Sequence, residues 1–392
     1  MKNRNILYIS FDGLLDPLGQ SQIIPYIDHI SKLGNLTVIS LEKDFRVKSS
    51  KKLIITFNWI FLYFTKKFKF FSKLYDFITI LIYSIYLCKK KNINIVHCRG
   101  HLPAMIAYIL KKIYKIKFIF DFRGFWIDER VDNGSINKNL LLDRALFKIL
   151  KKLEKILLNN SDAFIFLTRF AANEVKKKIK KKILLQIIPC ATDYNIFKKK
   201  NIKNNYLPKK KKYLCYLGSL GGVYLLEEML NFYYYLNKFD NKYKFLFITN
   251  NTKIIKENII YYNNKVLRKN VIIKNLNRKQ IPKYLQLCDY AISFIRPTWA
   301  RKSSFPTKIS EYLSMNLPII YNYGLKGVDD FFSKNKLGKG IKIKKKYSNS
   351  DIRKILENLK IYKNNAKLRS VSKKLLSMEV ANKNYSKIYE KI

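Results

Sequence analysis

The sequence predicts two doubly wound parallel α/β domains joined by one linker, on three observations. Short apolar runs alternate with longer helix-period segments over most of the 392 residues, the pattern of parallel α/β construction. A composition that is 48% apolar and 15% aromatic can bury a sizeable core and excludes intrinsic disorder. The alternation is interrupted at 198–212 (KKKNIKNNYLPKKKK), a stretch almost without apolar side chains.

Taken in order, Ile6 to Ser10 reads as a strand, followed by a loop with Gly13 and Gly19. A helix from about Ser21 to Leu33 comes next, with Gly34 as its stop, a role glycine fills because it adopts the left-handed region freely. Leu36–Leu41, Ile93–Val96, Phe118–Phe122, Ala163–Leu167 and Leu184–Ile188 are further strands. Helices are expected near Pro103–Lys112, Leu140–Leu158 and Ala171–Lys180. After the linker, strands follow at Tyr213–Leu217, Phe245–Ile248, Val271–Ile273, Ala291–Ile295 and Ile319–Tyr321, and the tail from about Asp351 is helical. The expected division is 1–197, the linker 198–212, 213–375, and a C-terminal helix 376–392 that packs back on the first domain. Two such halves place a ligand cleft between the carboxyl ends of their strands.

The formal charge of +51 comes mostly from lysine; thirteen of the 78 basic residues are arginine. Abundant Lys, Asn, Ile and Tyr together are what an AT-rich genome produces, so most lysines read as solvated surface. Arginine runs against that bias, which singles out Arg99, Arg123, Arg296 and Arg301. Residues 51–91 hold nine Lys, one acid (Asp76) and twelve aromatic residues, including Trp59, Phe61, Phe64, Phe70 and Phe71. They read either as amphipathic helices lying in the headgroups of an anionic membrane or as core-packed helices with lysines reaching to water.

Five scattered cysteines without a C-x-x-C pair support neither a disulfide scaffold nor a structural zinc site, and fit a reducing cytosol. Met1 to Asn5 leads straight into a strand, so no secretory signal is expected. No apolar run reaches the ~20 residues that span a bilayer. The absence of D-x-D, of G-x-x-x-x-G-K-[ST] and of G-x-S-x-G argues against metal-dependent GT-A transferases, P-loop NTPases and α/β-hydrolases. No nucleic-acid recognition motif appears, and nucleic acid is not an expected partner.

The most specific stretch is Arg296 to Ile320, RPTWARKSSFPTKISEYLSMNLPII. A helix starting near Pro306 has Ser303 and Ser304 as candidate caps, and Asn316 and Pro318 end it. Ile309, Tyr312 and Leu313 share one face, and Thr307, Lys308 and Glu311 the other. A cation and a carboxylate beside a helix N-terminus suit a nucleotide diphosphate. Its phosphates would lie against the amides with Lys302, Lys308 or Arg296, and its ribose hydroxyls would donate to Glu311. A solvated Lys–Glu pair is the plain alternative.

The run S-S-F-P-T-K-I-S-E-Y-L-S-M-N-L-P-I-I resembles the donor-site helix of GT-B glycosyltransferases of family 4, the "group 1" glycosyl transferases. That family places two glutamates eight positions apart on the donor. Glu311 matches the second, which contacts the ribose, and Ser303 stands where the first would be. Tyr216 to Gly222 (Y-L-G-S-L-G-G) resembles the family's phosphate-wrapping glycine loop, which implies Gly218, Ser219, Gly221 and Gly222 at the donor. Asp16 to Ser21 (D-P-L-G-Q-S) matches the loop placed under sugar and acceptor, which implicates Gly19 and Gln20. Where many members have His-Gly beside the reacting sugar, this chain has Arg123-Gly124. Arginine is no base at neutral pH, but it offsets charge on a departing diphosphate or binds an acceptor phosphate. Arg123 could equally be paired with Asp121 or Asp128.

At Val96 to His101, His97 and His101 lack a third metal ligand, so zinc is rejected. His97 reads as a core histidine rather than a catalytic one, and both it and Arg99 are candidate acceptor contacts. The resemblance spans about 5–345, most clearly 303–318. It implies the GT-B architecture, two Rossmann-like domains facing across a cleft. It implies transfer of a sugar from a nucleotide-sugar donor to a hydroxyl acceptor, with Arg123 and Glu311 catalytic, anomeric configuration retained, and no metal or other cofactor. A lipid-linked saccharide acceptor in bacterial surface polysaccharide assembly (O-antigen, capsule or lipopolysaccharide) would fit the basic aromatic segment. The protein would then be cytoplasmic and peripheral on the inner membrane face. A non-catalytic GT-B scaffold and a nucleotide-sugar epimerase share the expected fold.

Overall fold

The computed structural model describes residues 4–43, 56–65, 71–179, 181–201, 206–261, 264–363 and 367–392, as two compact units. The first comprises Met1–Cys190 with Met378–Ile392, and the second Ala191–Ser377.

The first unit carries a parallel seven-stranded sheet of β1 (Asn5–Ser10), β2 (Asn35–Glu42), β3 (Asn58–Tyr63), β4 (Ile95–Arg99), β5 (Lys117–Phe122), β6 (Ala163–Phe166) and β7 (Leu184–Ile187), in the order β3-β2-β1-β4-β5-β6-β7. The inner strands are buried on both faces, which is why they read as near-continuous apolar runs. The strand order reverses direction between β1 and β4, so the loops after these strands part there and leave room at the carboxyl edge. Register aligns Ser10 with Arg99 and Arg99 with Asp121 across that edge. Tyr8 pairs with His97 two residues earlier, so Tyr8, His97, Arg99 and Asp121 share one face of the sheet.

Two expectations for this unit change. The run Phe57–Phe64 supplies β3 rather than a helix, pairing in parallel with β2; its aromatic residues suit an edge strand. The lysine-rich flanks at 51–55 and 66–70, Phe70 among them, lie outside the described residues. The single helix expected over Ser21–Leu33 is two, Pro17–Gln22 and Ile24–Ile30, broken at Ile23 (φ −124°, ψ −62°). Pro25 lacks the N–H that would continue the first helix.

The second unit has a parallel five-stranded sheet of β8 (Lys212–Leu217), β9 (Tyr243–Ile248), β10 (Val271–Lys274), β11 (Tyr290–Ser293) and β12 (Ile319–Tyr321), in the order β10-β9-β8-β11-β12. Its reversal lies between β8 and β11. Residues 191–197, expected with the first domain, belong to this unit. Tyr194 and Phe197 are buried, and Arg369 on the helix Lys367–Leu376 donates hydrogen bonds to the carbonyls of Tyr194, Phe197 and Ser314. The last helix, Met378–Lys391, lies on Ile24–Ile30 and β7 in the first unit.

Because one guanidinium satisfies three carbonyls, Arg369→Ala leaves them without it and should destabilise the second unit by about 2–3 kcal/mol. The urea midpoint should fall accordingly.

Candidate functional site

At the carboxyl edge of the first sheet, Asp121 is fully buried and joins two guanidinium groups. Arg123 Nη1 donates to Oδ1 at 3.3 Å, and Arg99 Nη1 lies 3.5 Å from Oδ2. Burial alone would raise this carboxyl. The charge of Arg123, the nearby imidazole of His97 (4.0 Å) and Arg99 outweigh it, and the pKa falls to about 2. Arg99 also reaches Asp12 at 3.5 Å, and Arg123 donates to Cys190 Sγ at 3.6 Å. The ion pair with Asp121 is thus formed. Arg123 retains a partly exposed side chain, whereas that of Arg99 is almost enclosed.

His97 is sealed. Its Nδ1 lies 2.7 Å from the Tyr389 hydroxyl, and its ring packs against Tyr8, Tyr385 and Tyr389. Burial lowers its pKa, favouring the neutral imidazole. With no surface left for an acceptor, His97 drops out of the expected acceptor contacts and instead props the strands that carry Arg99 and Asp121. His101 is likewise internal, 3.3 Å from Glu154 and stacked on Trp126.

The 13–20 loop is held from β2. Glu42, buried at the strand's end, accepts from Leu14 N (2.6 Å) and Leu15 N (3.2 Å). A Cβ on Gly19 would collide with the carbonyls of Gly13 and Leu14, so only glycine fits. Gln20 is exposed, its amide donating to Leu15 O at 3.0 Å.

In the second unit the loops after β8 and β11 are zipped together at the reversal point. Arg296 N donates to Val223 O (2.9 Å) and Leu225 N to Phe294 O (3.1 Å). Gly218, Gly221 and Gly222 all have positive φ (115°, 88° and 64°), a conformation glycine adopts without strain; Gly218 N donates to Ile248 O at 2.9 Å and Leu220 N to Asn251 Oδ1 at 3.0 Å. The helix Thr307–Ser314 follows, pinned when the Tyr312 hydroxyl accepts from Leu217 N at 2.6 Å. Asn316 (φ 56°) ends it in the left-handed region, as its sequence position implies. Pro306, rather than Ser303 or Ser304, holds the cap position, and it makes no side-chain cap bond.

The polar face of this helix is buried, not solvated. Lys308 Nζ sits 3.8 Å and 3.7 Å from the ring centroids of Tyr216 and Tyr224, with no hydrogen-bond partner. A Cβ on Gly218 would lie 3.4 Å from it. Burial pushes this lysine well below its usual pKa, with Glu311 opposing. Glu311 is only 6% exposed, and its Oε1 accepts from Arg278 Nη1 at 2.9 Å. Burial raises its pKa, against Arg278 and Lys308.

Ser303 is enclosed in the turn Ala300–Ser303, its hydroxyl donating to Ala300 O at 2.7 Å, so it presents no surface to a donor. Thr307 and Lys302 are half-buried; Arg296 and Ser219 are exposed. Asp121, Glu42 and Arg278 escaped the sequence reading as organising residues. For Arg278 the scarcity of arginine was an available signal.

Residues 36–195 match the model for Glycosyltransferase Family 4. Among solved structures, sucrose-phosphate synthase from Thermosynechococcus elongatus is similar over 99% of both chains (TM-score 0.72, 12% identity). HepE from Anabaena in complex with UDP and glucose is similar over 99% of both (TM-score 0.70, 11% identity). So is the lipopolysaccharide outer core galactosyltransferase WaaB, over 99% of both (TM-score 0.59, 11% identity). No curated protein matched the chain. The fold is GT-B, as the sequence resemblance implies. The family match lies in the first unit, and the likeness to the solved structures extends over both.

A carboxyl whose folded pKa is depressed stabilises the fold above its unfolded value and loses that contribution as the pH falls through the folded one. For Asp121, 3.8 against about 2 corresponds to about 2 kcal/mol, present above pH 4 and lost toward pH 2. Urea midpoints measured in steps from pH 5 downward should show this slope in the wild type. Asp121→Asn should be less stable at neutral pH and show a shallower slope.

Proposed function

We propose that the second unit binds a nucleotide-sugar donor through the glycine loop 218–222 and the helix Thr307–Ser314, and that the sugar passes to a hydroxyl acceptor held by the first unit. The observation that carries this is Lys308: a buried amine without a hydrogen-bond acceptor, behind a glycine loop and one turn from a buried carboxylate. An unpaired buried cation is costly, and a diphosphate anion arriving at the loop would supply what it lacks. Glu311 would then accept from the ribose hydroxyls, with Arg278 fixing its orientation, and Arg296, Lys302 and Thr307 would frame the phosphates. HepE, of the same fold, was crystallised with UDP and glucose, which favours a uridine diphosphate donor.

In the reaction the acceptor oxygen bonds to the anomeric carbon as the bond from that carbon to the diphosphate oxygen breaks. The acceptor's proton passes to the departing phosphate. Catalysis consists of alignment and of fixed cations and amides placed where charge develops, which needs no resident metal and is compatible with retained configuration. Arg123, partly exposed at the carboxyl edge of the first sheet, would bind acceptor or leaving-group charge, with Gly19 and Gln20 in the acceptor loop.

We further infer a membrane-borne acceptor, a lipid-linked saccharide in surface polysaccharide assembly, with the protein peripheral on the cytoplasmic face. Among the described residues no helix is long and apolar enough to cross a membrane. The helix Phe71–Lys91 exposes Leu74, Tyr75, Ile78, Ile82 and Tyr86 in one stripe and ends in Lys89, Lys90 and Lys91. This favours the lipid-surface reading of that segment.

UDP should raise the melting temperature of the wild type, because it binds only the folded protein. Glu311→Ala and Lys308→Met should each weaken UDP binding about tenfold or more, as loss of a charge-assisted contact of 1.5–3 kcal/mol requires. Calorimetric titration showing unchanged affinity in both variants would refute the assigned donor site.

A further inference from the structure

The helix Leu141–Asn160 presents a second apolar surface that the transfer chemistry leaves unused. Leu141 and Leu142 are 82% and 86% exposed, and Leu146 and Ile149 are exposed behind them. Leu142, Leu146, Ile149 and Leu153 recur at the helical period and form one stripe. Lys152 and Lys148 flank it, and Arg144 and Lys155 lie further round the helix, all four exposed. The two acids of this helix are engaged: Asp143 accepts from Asn137 N, and Glu154 is buried between His101 and Lys151. Beside the stripe the charge is therefore basic.

The helix's place in the first unit is set by its neighbours. Glu154 meets His101, which follows β4 at the carboxyl edge, and Lys111 at the other end of the helix His101–Tyr114 reaches Asn160 O. The stretch before Glu154 thus extends past that edge, on the side where Arg123 and Asp121 stand. With 1.5 Å rise per residue, Leu142 lies roughly 18 Å along the axis from Glu154. The same helix, His101–Tyr114, packs against Phe71–Lys91 on its other side, so the two exposed stripes flank one helix.

We propose that the stripe of Leu142, Leu146 and Ile149 inserts into the interfacial region of an anionic lipid bilayer, and so turns the acceptor edge of the first sheet toward the membrane. Apolar side chains enter the headgroup boundary while the flanking Lys148 and Lys152 contact anionic headgroups, the two contributions that hold interfacial helices. The inference deepens the proposed function and rests on it for the purpose of docking; the surface itself is independent of donor binding.

The test uses the full chain and vesicles of phosphatidylcholine, with or without phosphatidylglycerol. Wild type should co-sediment with the mixed vesicles and release with salt. The double variant L142D/I149D, changed only at exposed positions, should keep its melting temperature and partition about tenfold more weakly or worse. Leu142→Cys carrying an environment-sensitive fluorophore should shift to the blue on vesicles; the native cysteines are buried or half-buried. Equal partitioning of the double variant, or an unshifted fluorophore, overturns the proposal. Conversion of a dimer to a monomer by the double variant, with vesicle binding unchanged, assigns the stripe to a second copy of the chain and also overturns it. UDP binding is read in the same samples. Its absence in wild type would sink the donor assignment and leave docking standing, whereas retained UDP binding without docking does the reverse.

Discussion

The constraint on which both candidate sites depend is parallel pairing. In each unit all the described strands run the same way, so their carboxyl ends arrive together at one edge. Strand order then decides where along that edge the backbone makes room. At β1/β4 the row Ser10, Arg99 and Asp121 is delivered by register alone. At β8/β11 the glycine loop and the stretch after β11 meet. Chemistry-bearing residues far apart in sequence become neighbours without any dedicated interaction drawing them in.

The two edges treat buried charge in opposite ways. Asp121 meets two guanidiniums, and the pairing overcomes desolvation strongly enough to depress its pKa to about 2. Its Oδ1 accepts from Arg123 and so fixes that side chain's orientation, while Oδ2 has ion-pair contact with Arg99 at 3.5 Å but no hydrogen bond. Lys308 has aromatic faces but no oxygen acceptor, and burial wins, lowering its pKa. Cation–π contact offsets part of the desolvation cost, on the order of 2 kcal/mol for a buried ring, but leaves the N–H donors unmatched. The contrast is between a carboxylate whose charge is met by guanidiniums and an amine that meets only aromatic faces.

Much of this architecture was legible in the chain because strands leave short uninterrupted apolar runs whether buried on both faces or half-buried at an edge as β7 and β10 are, and eleven of the twelve described strands were readable that way. β3 was not, since its half-buried edge position and aromatic content imitate an amphipathic helix. The helix carrying Lys308 and Glu311 was readable from Pro306 and Asn316, but its polar face looked solvated. Nothing local to that segment announces Tyr216, Tyr224 or Arg278, which enclose it from other elements. His97 was correctly suspected of being internal, although the tyrosines that enclose it come largely from a helix nearly three hundred residues away. Burial of polar side chains is a tertiary property, and period and propensity carry little of it.

Ser303 shows how a family pattern and a local structure can part. Its hydroxyl is bound within its own turn, so the role of the missing glutamate cannot be transferred to it by a small shift of the side chain. Glu311, by contrast, is enclosed with its charge met by Arg278, so the helix keeps one of the two carboxylates the family pattern places there, and a guanidinium from another element rather than a second acid sets its orientation.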